Sequence, residues 1–179
     1  MPLAHHEEPI TRSALLRKSA HAFCTAFLDL PSNPPAKLLS THFTPTSPKI
    51  TEHGPSWASS RLPFLGKTFT GRADCEAYFA LLAQTLEFHP SADTFPPPSG
   101  LIVDADAVME GTEERTLNRG QGAGMVSVVG RARFKAVKTG REWREVFVYR
   151  LSEFDEEGRI GHWEIWADPL SAWEAVGGE

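Results

Sequence analysis

The stretch from Arg141 to Pro169, REWREVFVYRLSEFDEEGRIGHWEIWADP, decides the fold. It reads as two long strands joined by an acidic, glycine-containing turn. The first strand lines up Trp143, Glu145, Phe147, Tyr149 and Leu151 at every second position, and the second lines up His162, Glu164, Trp166 and Asp168. Side chains two residues apart share a face of a strand. Aromatic and ionisable groups together on one face predict a lined cavity rather than an ordinary core.

Upstream, Met125 to Val137 alternates in the same way. Val126, Val128, Ala132, Phe134 and Ala136 take one face, and Ser127, Arg131, Arg133 and Lys135 take the other, as a solvated or dimer-facing stripe. Lys138-Thr139-Gly140 turns this strand into the next. Leu101 to Met109 has strand character, and Glu110 to Gly124 reads as a polar hairpin connection.

The first half is helical. From Ser13, a plausible N-cap, Leu16, Ala20, Phe23, Phe27 and Leu30 recur at helical spacing. Pro31-Ser32-Asn33-Pro34-Pro35 breaks that helix, and residues 36 to 43 predict a short second one carrying Leu38, Leu39 and Phe43 inward. Lys49 to His53 predicts a short strand. Gly54 to Thr70 is a long connection, of a length that often serves function; its Trp57, Arg61 and Phe64 are candidates to cover a pocket. A third helix starts at Gly71, with Asp74 supporting its first turn and Cys75, Phe79, Leu82 and Leu86 on its buried face. Pro90 to Gly100 is a second, proline-rich loop, and Leu170 to Val176 a last helical turn. Residues 1–12 predict a mobile arm and 13–179 a single domain.

Helices first and strands last imply an α+β fold, with helices on one face of a curved antiparallel sheet. Such a sheet, wrapped over helices, leaves a conical cavity suited to ligands. The bulk numbers agree with a soluble single domain: 179 residues, 41% hydrophobic, 23% charged. A net charge of −5 argues against nucleic acid as a partner. No apolar run is long enough to span a membrane, and MPLAHHEEPITR lacks the pattern of a signal peptide. Cys24 and Cys75 are too far apart for a zinc or redox motif and read as buried free thiols in the cytosol.

Two motifs resemble the nuclear-transport-factor-2-like superfamily and, within it, the SnoaL-like proteins. One is Ile50-Thr51-Glu52-His53-Gly54-Pro55, followed by Leu62-Pro63-Phe64-Leu65-Gly66 and Phe69-Thr70-Gly71-Arg72, running into the Tyr78-Phe79 helix. The other is Gly158-Arg159-Ile160 with Trp163 to Pro169, which looks like the family's last strand and its aromatic-x-Asp-Pro ending. The resemblance covers about Ser13 to Val176, and the proline-rich loops look like those of fungal members. It implies a cone-shaped fold with a pocket. It also implies a protein that either moves a proton in that pocket by a carboxylate or histidine, as polyketide cyclases, isomerases and dehydratases do, or only binds and dimerises.

The residues offer several groups for such work. His162, Glu164 and Asp168 alternate along one strand, with same-face neighbours roughly 6.6 Å apart. In an apolar cone Glu164 would have a raised pKa suited to proton transfer. The same row would equally suit a solvent-facing or dimer-facing sheet surface. Asp168 falls where some family members carry a catalytic Asp, but an aspartate before Pro169 is also a natural helix cap. Of Glu52 and His53 only one can face the cavity, and His53 is the choice as base or anchor; a hydrogen-bonded core or rim histidine is the alternative. Trp57, Tyr78, Tyr149 and Trp166 are expected to line the pocket, though buried aromatics more often simply pack. Gly120-x-Gly122-x-Gly124 precedes a strand, not a helix, and so is no dinucleotide loop. The seven histidines show no metal-ligand spacing, and there is no Gly-x-Ser-x-Gly elbow.

The function expected is therefore a cofactor-independent, metal-free SnoaL-like isomerase, cyclase or dehydratase, homodimeric through its sheet, acting on an apolar carbonyl or polyketide-like compound. His53, Glu164, Asp168 and His162 are the candidates for proton transfer. The alternative is a non-catalytic ligand-binding or dimerisation module.

Overall fold

The computed structural model describes residues 10–108 and 123–177. Most of the expected arm and of the Glu110–Gly124 connection lies outside them. Helix α1 spans Arg12–Phe27. Its N-cap is Thr11 rather than Ser13: the Thr11 hydroxyl accepts the Ala14 N–H at 3.2 Å, which satisfies one of the free amides of the first turn. Helix α2, Pro35–His42, starts on a proline, which has no N–H to leave unpaired. Helix α3 spans Arg72–Thr85. A last helix, α4, spans Pro169–Val176.

The strands are β1 (Lys49–His53), β2 (Lys67–Thr70), β3 (Leu86–His89), β4 (Ile102–Asp104), β5 (Met125–Ala136), β6 (Glu142–Ser152) and β7 (His162–Trp166). Their order is β2-β1-β7-β6-β5-β3, with β4 also pairing to β5. The sheet is antiparallel except for β1 against β7, which run parallel. Strands β2 and β3 were not anticipated; at four residues each they are too short to show an alternation. Thus α+β architecture, with a curved sheet over helices, is as the sequence implied.

One face of the sheet carries the core. On β5 it presents Val126, Val128, Phe134 and Ala136, and on β6 Trp143, Phe147, Tyr149 and Leu151. The Trp163 ring of β7 is the meeting point between layers. It is 1% exposed and meets Phe23 of α1 edge-on at 5.1 Å, Phe79 of α3 at 6.0 Å and Tyr149 of β6 edge-on at 5.0 Å. Cys24 and Cys75 are buried and unlinked. Gly130 of β5 gives the curved sheet a local clearance, because a Cβ there would overlap the Phe147 ring. At the β6–β7 turn Gly158 has φ +80°, a conformation glycine adopts freely.

Candidate active site

Between the inner face of the sheet and the helices lies a cavity of about 580 Å³. Its walls are mainly apolar and aromatic, with Tyr78 and Phe79 from α3, Phe134 from β5, and Trp143, Phe147 and Tyr149 from β6. Leu62 and Leu65 of the long 54–70 connection close one side, and Pro169 and Ala172 of α4 another. The connection does reach the pocket, as expected, but through leucines. Trp57 is 64% exposed, stands outside the lining, and meets Trp173 edge-on at 5.1 Å.

The buried acid of this cavity is Glu52. Ile50 and Glu52 share the inner face of β1, so Thr51 and His53 turn outward. The Tyr78 hydroxyl donates to Glu52 Oε2 at 2.8 Å. Burial pushes the Glu52 carboxyl up to about 7; the Tyr78 hydrogen bond pulls it back, and the charge of Glu145 pushes it further up. Burial also holds Tyr78 well above the usual phenol range, reinforced by the Glu52 charge, so Tyr78 keeps its proton.

A second carboxyl, Glu145, lies on the inner row of β6. The Trp143 indole N–H donates to its Oε2 at 2.8 Å. Burial pushes it, too, up to about 7, with the indole pulling down and the charge of Asp168 pushing up. Tyr149 feels both carboxyls and, chiefly through burial, is held well above its ordinary value.

Asp168 borders the cavity and caps α4. Its Oδ1 accepts the N–H groups of Leu170 at 3.1 Å and Ser171 at 3.2 Å, and its Oδ2 accepts the Ser171 hydroxyl at 2.5 Å. These bonds, led by the Ser171 hydroxyl, hold its carboxyl below the usual range. It is thus ionised and engaged.

His162, Glu164 and Trp166 sit on the other face of the sheet. Cross-strand partners share a face, and the register sets Glu164 opposite Arg150 and Trp166 opposite Val148, while Ile165 faces Tyr149. Glu164 is buried there as part of a polar cluster. Arg150 grips it with two bonds, Nε to Oε2 at 2.6 Å and Nη2 to Oε1 at 2.7 Å. His53 Nε2 lies 3.0 Å from Glu164 Oε1, and the imidazole stacks on Trp166 at 4.1 Å. His162 Nε2 lies 2.9 Å from the Thr51 hydroxyl, and burial lowers its pKa. The raised pKa expected of Glu164 is not found: burial pushes it up, but the bonds from Arg150 and His53 bring it below its ordinary value.

Of the candidates chosen for proton transfer, Asp168 borders the cavity, His53 borders it with its imidazole turned to Glu164 and Trp166 on the outer face, and Glu164 and His162 do not line it. Among the aromatic candidates Tyr78 and Tyr149 line it, and Trp57 and Trp166 do not. Glu52 and Glu145 are the acids the sequence reading passed over. The signal for Glu52 was present, since Ile50 two residues earlier marks the buried face. No group of three or more potential metal-ligating side chains lies together among the described residues, and none of their helices is long and apolar enough to cross a membrane.

A cone of this build, with a curved sheet and helices over its inner face, is the fold of nuclear-transport-factor-2-like proteins. Solved structures agree. An NTF2-like protein of unknown function from Burkholderia pseudomallei superposes with a TM-score of 0.59 at 18% identity, over 92% of this chain and 98% of its own. A candidate isomerase from Bacillus subtilis gives 0.61 at 14% identity, over 94% and 97%. TerC, co-crystallised with polyporic acid, gives 0.52 at 16% identity, over 90% and 98%. No protein-family model and no curated protein sequence matches the chain. The fungal-type character suggested by the proline-rich loops finds no support in these comparisons.

Proposed function

We propose that this chain is a small-molecule-binding protein of SnoaL-like type, and that it works as a cofactor-independent isomerase, cyclase or dehydratase on an apolar carbonyl compound. The observation that carries the reading is the Glu52 carboxyl, buried in a cavity of about 580 Å³, bonded to Tyr78 and titrating near 7. A base is most useful when its pKa is near the working pH. In its ionised form Glu52 takes a proton from carbon next to the ligand's carbonyl. The C–H electron pair moves into a new C=C bond, the carbonyl π pair moves to oxygen, and the proton is later returned to carbon or to oxygen. The apolar walls keep water from competing. His53, His162 and Glu164 support β1 and β7 from the outer face, and Asp168 fixes the start of α4 at the rim.

The candidate isomerase of the same fold and TerC, co-crystallised with polyporic acid, are in keeping with this reading. We further propose that two copies pair through the outer face of the sheet, and that the protein resides in the cytosol, in keeping with two buried free thiols.

The test is a thermal-shift screen of apolar ketones and phenolic carbonyl compounds against wild type and Glu52→Gln. A bound ligand raises the melting temperature by mass action. Each hit is then incubated in D2O and followed by NMR. Wild type is expected to wash deuterium into the carbon beside the carbonyl, and Glu52→Gln to slow this by about 10²–10⁴-fold. Hits that stabilise both proteins with no deuterium uptake above the uncatalysed rate would establish the other reading, a non-catalytic binding module.

A further inference from the structure

The cavity is polar at two separate places. Glu52 with Tyr78 stands on β1 and α3. Glu145 with Trp143 stands on β6, with β7 lying between β6 and β1. Along β6, Glu145 is four residues from Tyr149, which is about 13 Å of strand, and Tyr149 stands opposite Ile165, the β7 neighbour of Glu52's row. The wall between is aromatic. Phe147 and Tyr149 lie 4.9 Å apart, and Phe134 stacks on Trp143 at 5.7 Å. No lysine or arginine is among the described residues that line the cavity, whereas Glu52, Glu87, Glu145 and Asp168 all are.

From this arrangement we infer that Glu145, held by Trp143, is a second polar anchor, and that the cavity selects an elongated, unsaturated ligand with an oxygen function at each end and no negative charge. The inference rests on the reading of Glu52 as the group at the reacting carbonyl, and adds the far end of the ligand to it. The physical reasons are three. A flat conjugated body stacks on the Phe147–Tyr149 wall without loss of polar contacts. A ligand hydroxyl adds a charge-assisted hydrogen bond to the half-buried Glu145; a hydrocarbon end cannot make it and so forfeits affinity. An anion in this cavity meets four carboxyls, no Lys or Arg, and two histidines, His53 and His89, that already lie beside Glu164 and Glu87, so burying it is unfavourable. Glu145 touches the ligand in this proposal but takes no proton from the reacting carbon; it sets specificity.

The experiment compares three probes by calorimetry: 2-acetylnaphthalene, 2-acetyl-6-hydroxynaphthalene and 6-acetyl-2-naphthoate. In wild type the hydroxyl is expected to tighten binding about 10-fold over the one-ended parent, and the naphthoate is expected to bind at least 10-fold more weakly than the hydroxyl compound at pH 8. Glu145→Leu should abolish the hydroxyl's advantage over 2-acetylnaphthalene; Glu145→Gln, which can still donate and accept, should keep it. Trp143→Phe, which leaves Glu145 in place without its indole bond, should reduce the advantage and gives a second route should Glu145→Leu fold poorly. Equal binding of the parent and hydroxyl probes to wild type would overturn the inference while leaving the pocket and Glu52 intact. Tight binding of the naphthoate would overturn the exclusion of anions. If none of the three binds wild type, this inference falls together with the reading on which it rests.

Discussion

A carboxyl with a raised pKa is a statement about stability as well as chemistry. Glu52 titrates near 7 in the folded chain against an ordinary value of 4.5. Below pH 4.5 it is protonated whether the chain is folded or not, and its contribution is fully present. As pH rises from 4.5 to 7 the unfolded chain releases its proton first, so stability falls, and the loss is complete above 7. A shift of this size corresponds to about 3 kcal/mol. Glu145 acts in the same sense. Glu164, lowered by Arg150 and His53, acts in the opposite sense, with a contribution present above pH 4.5 that fades on acidification. We therefore expect Glu52→Gln to remove a large part of the fall in melting temperature between pH 4.5 and 8, and Glu52→Gln with Glu145→Gln to remove most of it. Melting temperatures recorded across that range by circular dichroism check this; parallel wild-type and double-variant profiles would show that neither acid is raised.

At the scale of the element, β6 was legible and β7 was not, and the difference is instructive. The β6 row of Trp143, Phe147 and Tyr149 is strongly apolar, while the intervening Arg144, Val146, Val148 and Arg150 include two charges, so the inner face could be read off. Strand β7 carries a tryptophan on each face, Trp163 and Trp166, and a period of two cannot say which one is inside. Pairing with β6 decides it, by placing Ile165 against Tyr149 and Glu164 against Arg150. On β1 the apolar Ile50 sits in phase with Glu52, so the inward residue there was readable from the alternation, and the imidazole of His53 falls on the opposite face. The Asp168 cap was legible because Asp-Pro is a local signal that needs no partner strand. The consequence is that Glu164 and the cavity lie on opposite faces of the sheet. Glu164→Ala removes the two charge-assisted bonds between Arg150 and Glu164 and is expected to cost about 2 kcal/mol, less than a fully buried pair because Arg150 is partly solvated. That is a fall of roughly 4–8 °C in melting temperature for a domain of this size. Affinity for a cavity ligand should not change, since Glu164 lies across the sheet from it. A calorimetric titration of the variant decides the matter, and a loss of ligand affinity larger than the loss of stability would put Glu164 back among the binding groups.

At the scale of the whole molecule, the two faces of the sheet differ in composition, and the outer one carries exposed apolar side chains. Val129 and Val148 are cross-strand partners, Val148 also faces Trp166, and Val146 stands opposite Arg131. Val129, Val146 and Trp166 are all exposed. They form an apolar strip flanked by Arg131 and Arg150, in the middle of the sheet rather than at its edge, so strand addition is not the way to cover it. An apolar strip with charged borders has the composition of a face-to-face contact, and the simplest occupant that presents a matching strip is a second copy related by a twofold axis. The inner cavity would be untouched by such pairing, because the strip and the cavity are separated by the thickness of the sheet. Sedimentation velocity should thus give a dimer for wild type and a monomer for Val146→Glu, which sets a charge on the axis of the strip at an already exposed position and leaves the core intact. Ligand-induced stabilisation should persist in the monomeric variant. A wild type that sediments as a monomer at all accessible concentrations would refute the pairing and leave the valine strip to a different partner.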